Sequence, residues 1–324
     1  MIDFRYHLVS LVAVFLALAV GIVLGAGPLR ETLGDSVTGR TAQLTAQNEQ
    51  LRDERDAAVA ERGAAAAALD AAGAGLVGGT LEGFRVAVVS LGEVPDEVRG
   101  AIGERLAQAG ATVAVEVMLT PAWSAGEQRS YRQSLAGYLV GYLDPAPEAD
   151  AGLAAELAQA LVQGLVASDP AAPGEATENA SLLLELLSTG DTPLVTLAAP
   201  PTSPVDAVVL VAPGAPQDAS PPMPDPDATA AAVALLRAAQ DRSSGAVLAE
   251  PGTGEGQFVG AVLAAGDAAD LATVSGVDGV VGQLGVPLAL AQRVTGTAGH
   301  YGPGGALTPL PPRTVARVPE PAAP

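Results

Sequence analysis

The pattern of apolar and polar positions changes character several times along the chain. Leu8 to Gly27 (LVSLVAVFLALAVGIVLGAG) is unbroken: it holds no charge, no Asn or Gln, and no Pro before Pro28. About 20 apolar residues at a 1.5 Å rise cross a hydrocarbon core of roughly 30 Å, so this run predicts a transmembrane helix contacting lipid through residues 8–27. The run exceeds the usual apolar core of a secretory signal, which favours an uncleaved anchor. A cleavage register with Val23 and Gly25 before Ala26 remains as the alternative. Basic residues do not decide orientation, because Arg5 precedes the helix and Arg30 follows it. The short tail before a signal-like helix implies a cytoplasmic N-terminus and an extracytoplasmic bulk.

From Arg30 to Ala74 there is no Pro, and Val37, Leu44, Leu51, Ala58 and Ala65 recur every seven residues. A seven-residue apolar repeat keeps one stripe facing a partner helix, the coiled-coil condition. Thr41, Asn48, Arg55 and Arg62 form a polar companion seam, four residues after the apolar positions. A solvated single helix with i,i+4 ion pairs is the alternative. The Ala64–Gly79 tract then reads as a Gly-rich hinge.

Beyond it the pattern alternates between strand and helix. FRVAVVSL (Phe84–Leu91) and ATVAVEVML (Ala111–Leu119) are β-rich runs of buried-strand length flanking an amphipathic helix, Pro95–Ala109. Helical patterns follow at Glu127–Leu143 and Asp150–Val166. A loop at Ser168–Asn179 leads to a short helix at Ser181–Leu187. Strand Asp206–Ala212 precedes a Pro-rich loop, Pro213–Asp227, then helix Ala228–Asp241 and strand Gly245–Glu250. Alternation of this kind predicts a parallel sheet covered on both faces. The predicted fold is α/β: an N-terminal transmembrane helix, a coiled-coil stalk, then a parallel-sheet three-layer α/β domain without a dinucleotide-binding loop. Its boundaries fall at 1–28 (tail and anchor), 29–75 (stalk), 76–309 (globular domain) and 310–324 (a disordered Pro-rich tail).

A formal charge of −20 argues against nucleic acid and against docking on anionic lipid. All 16 basic residues are Arg, which with the abundant Ala, Gly and Pro reads as coding bias. There is no Cys, so disulfides, thiolate metal sites and a Cys nucleophile are impossible.

Candidate chemistry is sparse. The first strand–helix turn, Ser90–Glu97, carries one glycine, Gly92, beside Glu93 and Asp96, which would repel a phosphate. No nucleotide is expected. A Ser/His/acid triad would need His300, in the Gly-rich segment Thr297–Ala306, where a structural role fits better. Glu185, Asp267 and Asp270 read as a solvated face. Asp278 reads as a cap of the helix running to about Arg293. Glu116 has no visible partner. Met118 reads as core. No catalytic, cofactor-binding or metal residue is assigned, and no enzyme activity is expected.

The blocks MIDFRYHLVSLVAVFLALAVGIVLGAG, NEQLRDERDA (Asn48–Ala57), LATVSGVDGVVGQLGVPLALAQ (Leu271–Gln292) and GHYGPGGA (Gly299–Ala306) together resemble the actinobacterial copper transporter, MctB-like, family. The resemblance covers nearly the whole chain. It implies a copper efflux or homeostasis protein of the cell envelope, acting through an oligomeric pore. Copper would be the transported ion and not a bound cofactor: copper(I) favours Cys and Met and copper(II) favours imidazole, and these are scarce here. The alternative is a membrane-anchored coiled-coil scaffold for a partner in envelope assembly or division, its polar seam suited to a partner helix with complementary residues rather than to a strong homodimer. In either case the coil predicts a homo- or hetero-oligomer, with inner or outer membrane left open.

Overall fold

The computed structural model describes residues 4–26, 28–148, 150–214, 225–252, 258–264, 268–304 and 307–318. Two compact units divide at Ala65/Ala66. The first holds α1 (Phe4–Ala26) and most of α2 (Pro28–Val77). From Arg5 to Val23, 19 residues, α1 is apolar enough to cross a membrane and buries none of that surface within the chain. In α2 the apolar positions Leu44 and Leu51 are 65% and 63% exposed. The side chain of Val37 lies outside the described residues.

The second unit is the α/β domain. Its elements run β1 (Arg85–Ser90), α3 (Asp96–Gln108), β2 (Thr112–Leu119), α4 (Arg129–Leu139), α5 (Leu153–Val166), β3 (Ser168–Asp169), β4 (Ala172–Ala176), α6 (Glu178–Ser188), β5 (Val195–Leu197), β6 (Ala207–Val211), α7 (Pro226–Arg242), β7 (Ala246–Glu250), α8 (Phe258–Ala264), β8 (Ala272–Ser275), α9 (Val280–Val294) and β9 (Gly299–Tyr301). Seven strands form one sheet in the order β5-β2-β1-β6-β7-β8-β9. All neighbours are parallel except β5, which runs antiparallel to β2 at one edge. The expected parallel sheet is therefore mixed at that edge. β3 and β4 pair separately as a small hairpin, where the sequence reading had only a loop.

Both faces of the sheet are covered, so its central strands read as apolar runs without alternation. Val86 and Val88 of β1 pack with Ile102 and Leu106 of α3 and with Leu284 and Leu288 of α9. Ala87 and Val89 pack on the other side, with Leu157 and Leu161 of α5 and Leu235 of α7. At the start of β1, Arg85 grips Asp206 just before β6: its backbone N–H and Nε donate to Oδ2 at 2.8 and 3.1 Å, and Nη2 donates to Oδ1 at 2.9 Å.

Several local expectations change. The tract read as a hinge is helical to Val77, and its last turns belong to the domain. Asp70 pairs with Arg105, and a Cβ on Gly73 would sit 2.9 Å from Leu284, so this glycine serves close approach rather than bending. The C-terminal segment expected to be disordered is held over residues 310–318. Arg313 donates to the carbonyls of Leu76 and Gly78 at 3.2 and 2.8 Å, satisfying acceptors at the end of α2. Ala316 is buried and its N–H donates to the Thr80 carbonyl at 2.9 Å. Residues 319–324 lie outside the described residues, as does most of the Pro213–Asp227 loop; Asp225 emerges from it to cap α7 through a hydrogen bond from Asp227 N–H.

Candidate functional site

In an open α/β sheet the crevice beyond the carboxyl ends of the strands, where the strand order reverses, is the usual ligand position. Here that switch point lies between β1 and β6. The ladder continues past both strands: Leu91 N–H donates to the Val211 carbonyl, and Ala212 N–H to that of Ala249, both at 2.8 Å. Gly92 then meets Pro213, with an added Cβ 3.6 Å from its Cγ. Asp96 and Glu97 open α3, whose cap residue Pro95 offers no side-chain hydrogen bond. Backbone contact and two carboxylates thus lie at the carboxyl end of the switch point.

A polar seam occupies the far side of the sheet. Thr273 Oγ1 lies 2.9 Å from His300 Nδ1. Glu250, Thr273 and Ser275 are buried at the ends of β7 and β8, where Glu250 sits opposite Ser275 in register. The Glu250 carboxylate accepts the Val259 N–H of α8 at 2.7 Å. Burial pushes its carboxyl up to about 7, against the lowering effect of hydrogen bonds from Val259 and Phe258. Sequence reasoning missed this group: it ends a strand (AVLAE) whose other members are apolar, and nothing local marks it as buried. The Thr273 hydroxyl is hydrogen-bonded to the His300 imidazole, and Ser275 Oγ donates to the Tyr301 carbonyl at 3.4 Å.

The GHYG block is a structural staple. Tyr301 OH donates to Gln292 Oε1 at 2.9 Å, and Gln292 Nε2 donates to the Pro312 carbonyl at 3.1 Å and to Thr314 Oγ1 at 3.3 Å. One buried amide therefore ties β9, α9 and the C-terminal segment together. The α9 block is equally constrained, since a Cβ on Gly282 would collide with the backbone of Gly276 and Val277. Asp278 does not cap α9: it accepts the Gly252 N–H at 2.8 Å, and Gly279 holds the cap position. Glu116 pairs with Arg99 at 3.2 Å, a partner supplied by α3. Met118 is 41% exposed and not core, because it alternates along β2 with the buried Val117 and Leu119 and so points to the opposite face. Glu185 and Asp270 are exposed. Asp267 and Met223 lie outside the described residues.

A cleft of about 240 Å³ opens among Trp123, Arg132, Gly152, Leu157 and Asp227. Its buried cation is already spent: Arg132 Nη1 donates to the carbonyls of Ala122 and Ala125 at 2.9 and 2.6 Å. Burial lowers the Arg132 pKa, with Asp227 opposing. Among the described residues no three His, Cys, Asp or Glu side chains are grouped as metal ligands. Among the described residues, the apolar surface of α1 and the stripe positions Leu44 and Leu51 of α2 are uncovered.

Comparison with known proteins points the same way as the blocks quoted above. The family model described as "Copper transport outer membrane protein, MctB" matches residues 1–312. Proteins named "Copper transporter MctB" from Mycobacterium tuberculosis and Mycobacterium bovis are each 31% identical over 314 residues, 94% of this chain and 97% of the relative. One of the same name from Mycobacterium leprae is 45% identical over 120 residues, 37% of this chain and 38% of the relative.

Proposed function

The chain belongs to the MctB family of copper transport proteins, and from that membership we propose that several copies assemble to move copper out through the cell envelope. It is a membrane-associated, non-enzymatic protein of cell-envelope copper homeostasis. The observation that carries the assembly reading is the pairing of one membrane-length helix with an exposed seven-residue stripe on α2. In lipid, polar backbone is satisfied only in helices or closed barrels, and the seven-stranded sheet is open. A conduit therefore requires α1 from several chains. The N-terminus is cytoplasmic in this reading and the α/β domain extracytoplasmic, where a formal charge of −20 concentrates cations. Copper is cargo and not a resident cofactor, a reading supported by the absence of Cys and the presence of only two His and three Met.

Total cell copper, by elemental analysis, tests this in a strain lacking the protein. The deletion is expected to raise copper, and the full chain to restore it. The Leu44→Asp/Leu51→Asp chain is expected not to. Unchanged copper in the deletion strain overturns transport and favours a scaffold role in envelope assembly, most directly if cell shape changes. Restoration by the double variant overturns the assembly requirement alone.

A further inference from the structure

We propose that α2 pairs with a second copy of this chain as a parallel, in-register two-stranded coiled coil over Arg40–Ala65; this deepens the reading that α2 is the assembling element. Leu44, Leu51, Ala58 and Ala65 are exposed along one stripe, and Val59 beside it is 60% exposed. Taking the stripe as the d positions of a heptad, the polar seam Thr41, Asn48, Arg55 and Arg62 falls at a. In a parallel pair d faces d and a faces a. An antiparallel pair would set each Leu against Asn or Arg, so only the parallel arrangement forms apolar layers. Both copies also enter α2 from an apolar helix in one membrane, which imposes the same direction.

The charges fit a second copy. The residue preceding each a-position arginine is a g-position glutamate, Glu54 before Arg55 and Glu61 before Arg62. In a parallel pair the a side chain lies beside the partner's preceding g position, so each Arg meets a Glu across the seam in both directions. Among the described residues, Arg55 and Glu54 have weak exposed partners within the single chain. Arg55 bonds Asp56 at 2.6 Å, the two side chains being 71% and 64% exposed, and Glu54 accepts from Gln50 at 2.8 Å. Asn48 pairs with its own counterpart only in register; a slip of one heptad sets it against Thr41 or Arg55.

The absence of cysteine makes the test direct. Full-length chains carrying Ala58→Cys (d) or Ala60→Cys (f, the outer face) are oxidised in membranes. Equivalent d residues lie within disulfide reach and f residues do not. Ala58→Cys is expected to give about tenfold more covalent dimer than Ala60→Cys, and the detergent-solubilised native chain to have the mass of an even number of copies. In the Ala58→Cys background, Glu54→Arg/Glu61→Arg and Arg55→Glu/Arg62→Glu should each lower dimer about tenfold alone and restore it when co-expressed. Equal cross-linking at both positions, a mass of one or any odd number of copies, a product containing another protein, or no restoration by the charge-swapped pair overturns the proposal. Copper content is read separately, so a dimer in a strain of unchanged copper would refute transport and leave the pairing intact.

Discussion

Glu250 makes the domain's stability depend on pH in an unusual direction. Its side chain is 1% exposed, and burial holds its carboxyl at about 7 against an ordinary 4.5. Between those values the folded chain binds a proton that the unfolded chain has released. The contribution is therefore fully present below about pH 4.5 and is lost as pH rises through 7. Moving a carboxyl from 4.5 to about 7 corresponds to about 3 kcal/mol, at about 1.4 kcal/mol per pH unit. Glu250→Gln keeps an oxygen for the Val259 N–H and removes the ionisation. The assay is urea unfolding of the full chain in detergent, followed by fluorescence of Trp123, the only tryptophan and a member of the core cluster that includes Val259. Every other titrating group is common to both proteins and cancels in the difference. The variant should gain about 3 kcal/mol on wild type between pH 4.5 and 8, most of it between pH 5 and 7. Parallel stability curves would refute the burial argument.

Two further substitutions probe long-range ties. Asp206→Ala removes three hydrogen bonds from Arg85 that join the starts of β1 and β6, and should cost about 2 kcal/mol in the same urea titration. Ala316→Asp places a carboxylate where the C-terminal segment is buried and should cost about 3 kcal/mol; a change under about 0.5 kcal/mol would mean that the segment is not packed in solution.

Much of the architecture was legible because its signals are local. The Leu8–Gly27 run, the seven-residue repeat of α2 and the apolar runs of β1, β2, β6 and β7 are periodicities written within a few turns of chain. They predicted the membrane helix, the long helix and the layered α/β domain. The shorter strands β5, β8 and β9 were not picked out, since three or four residues carry too little pattern. The candidate site was legible only as composition: the lack of Cys and the scarcity of His and Met bear on copper ligation without any coordinates.

Tertiary structure decided whatever depends on partners far away in sequence. Asp278 looked like a cap, yet its acceptor serves Gly252 across the strand ends. Met118 sits in an apolar strand, yet only its neighbours Val117 and Leu119 face the covered side. The Pro-rich end looked unstructured, yet Gln292, Thr80 and the last carbonyls of α2 hold it, partners from about 20 to more than 230 residues away. Glu250 acquires its high pKa only because the folded chain buries it, against two α8 backbone hydrogen bonds that lower it. A sequence specifies periodicity and propensity residue by residue, but burial and electrostatic environment belong to the packed neighbours, and those exist only once the chain has closed on itself.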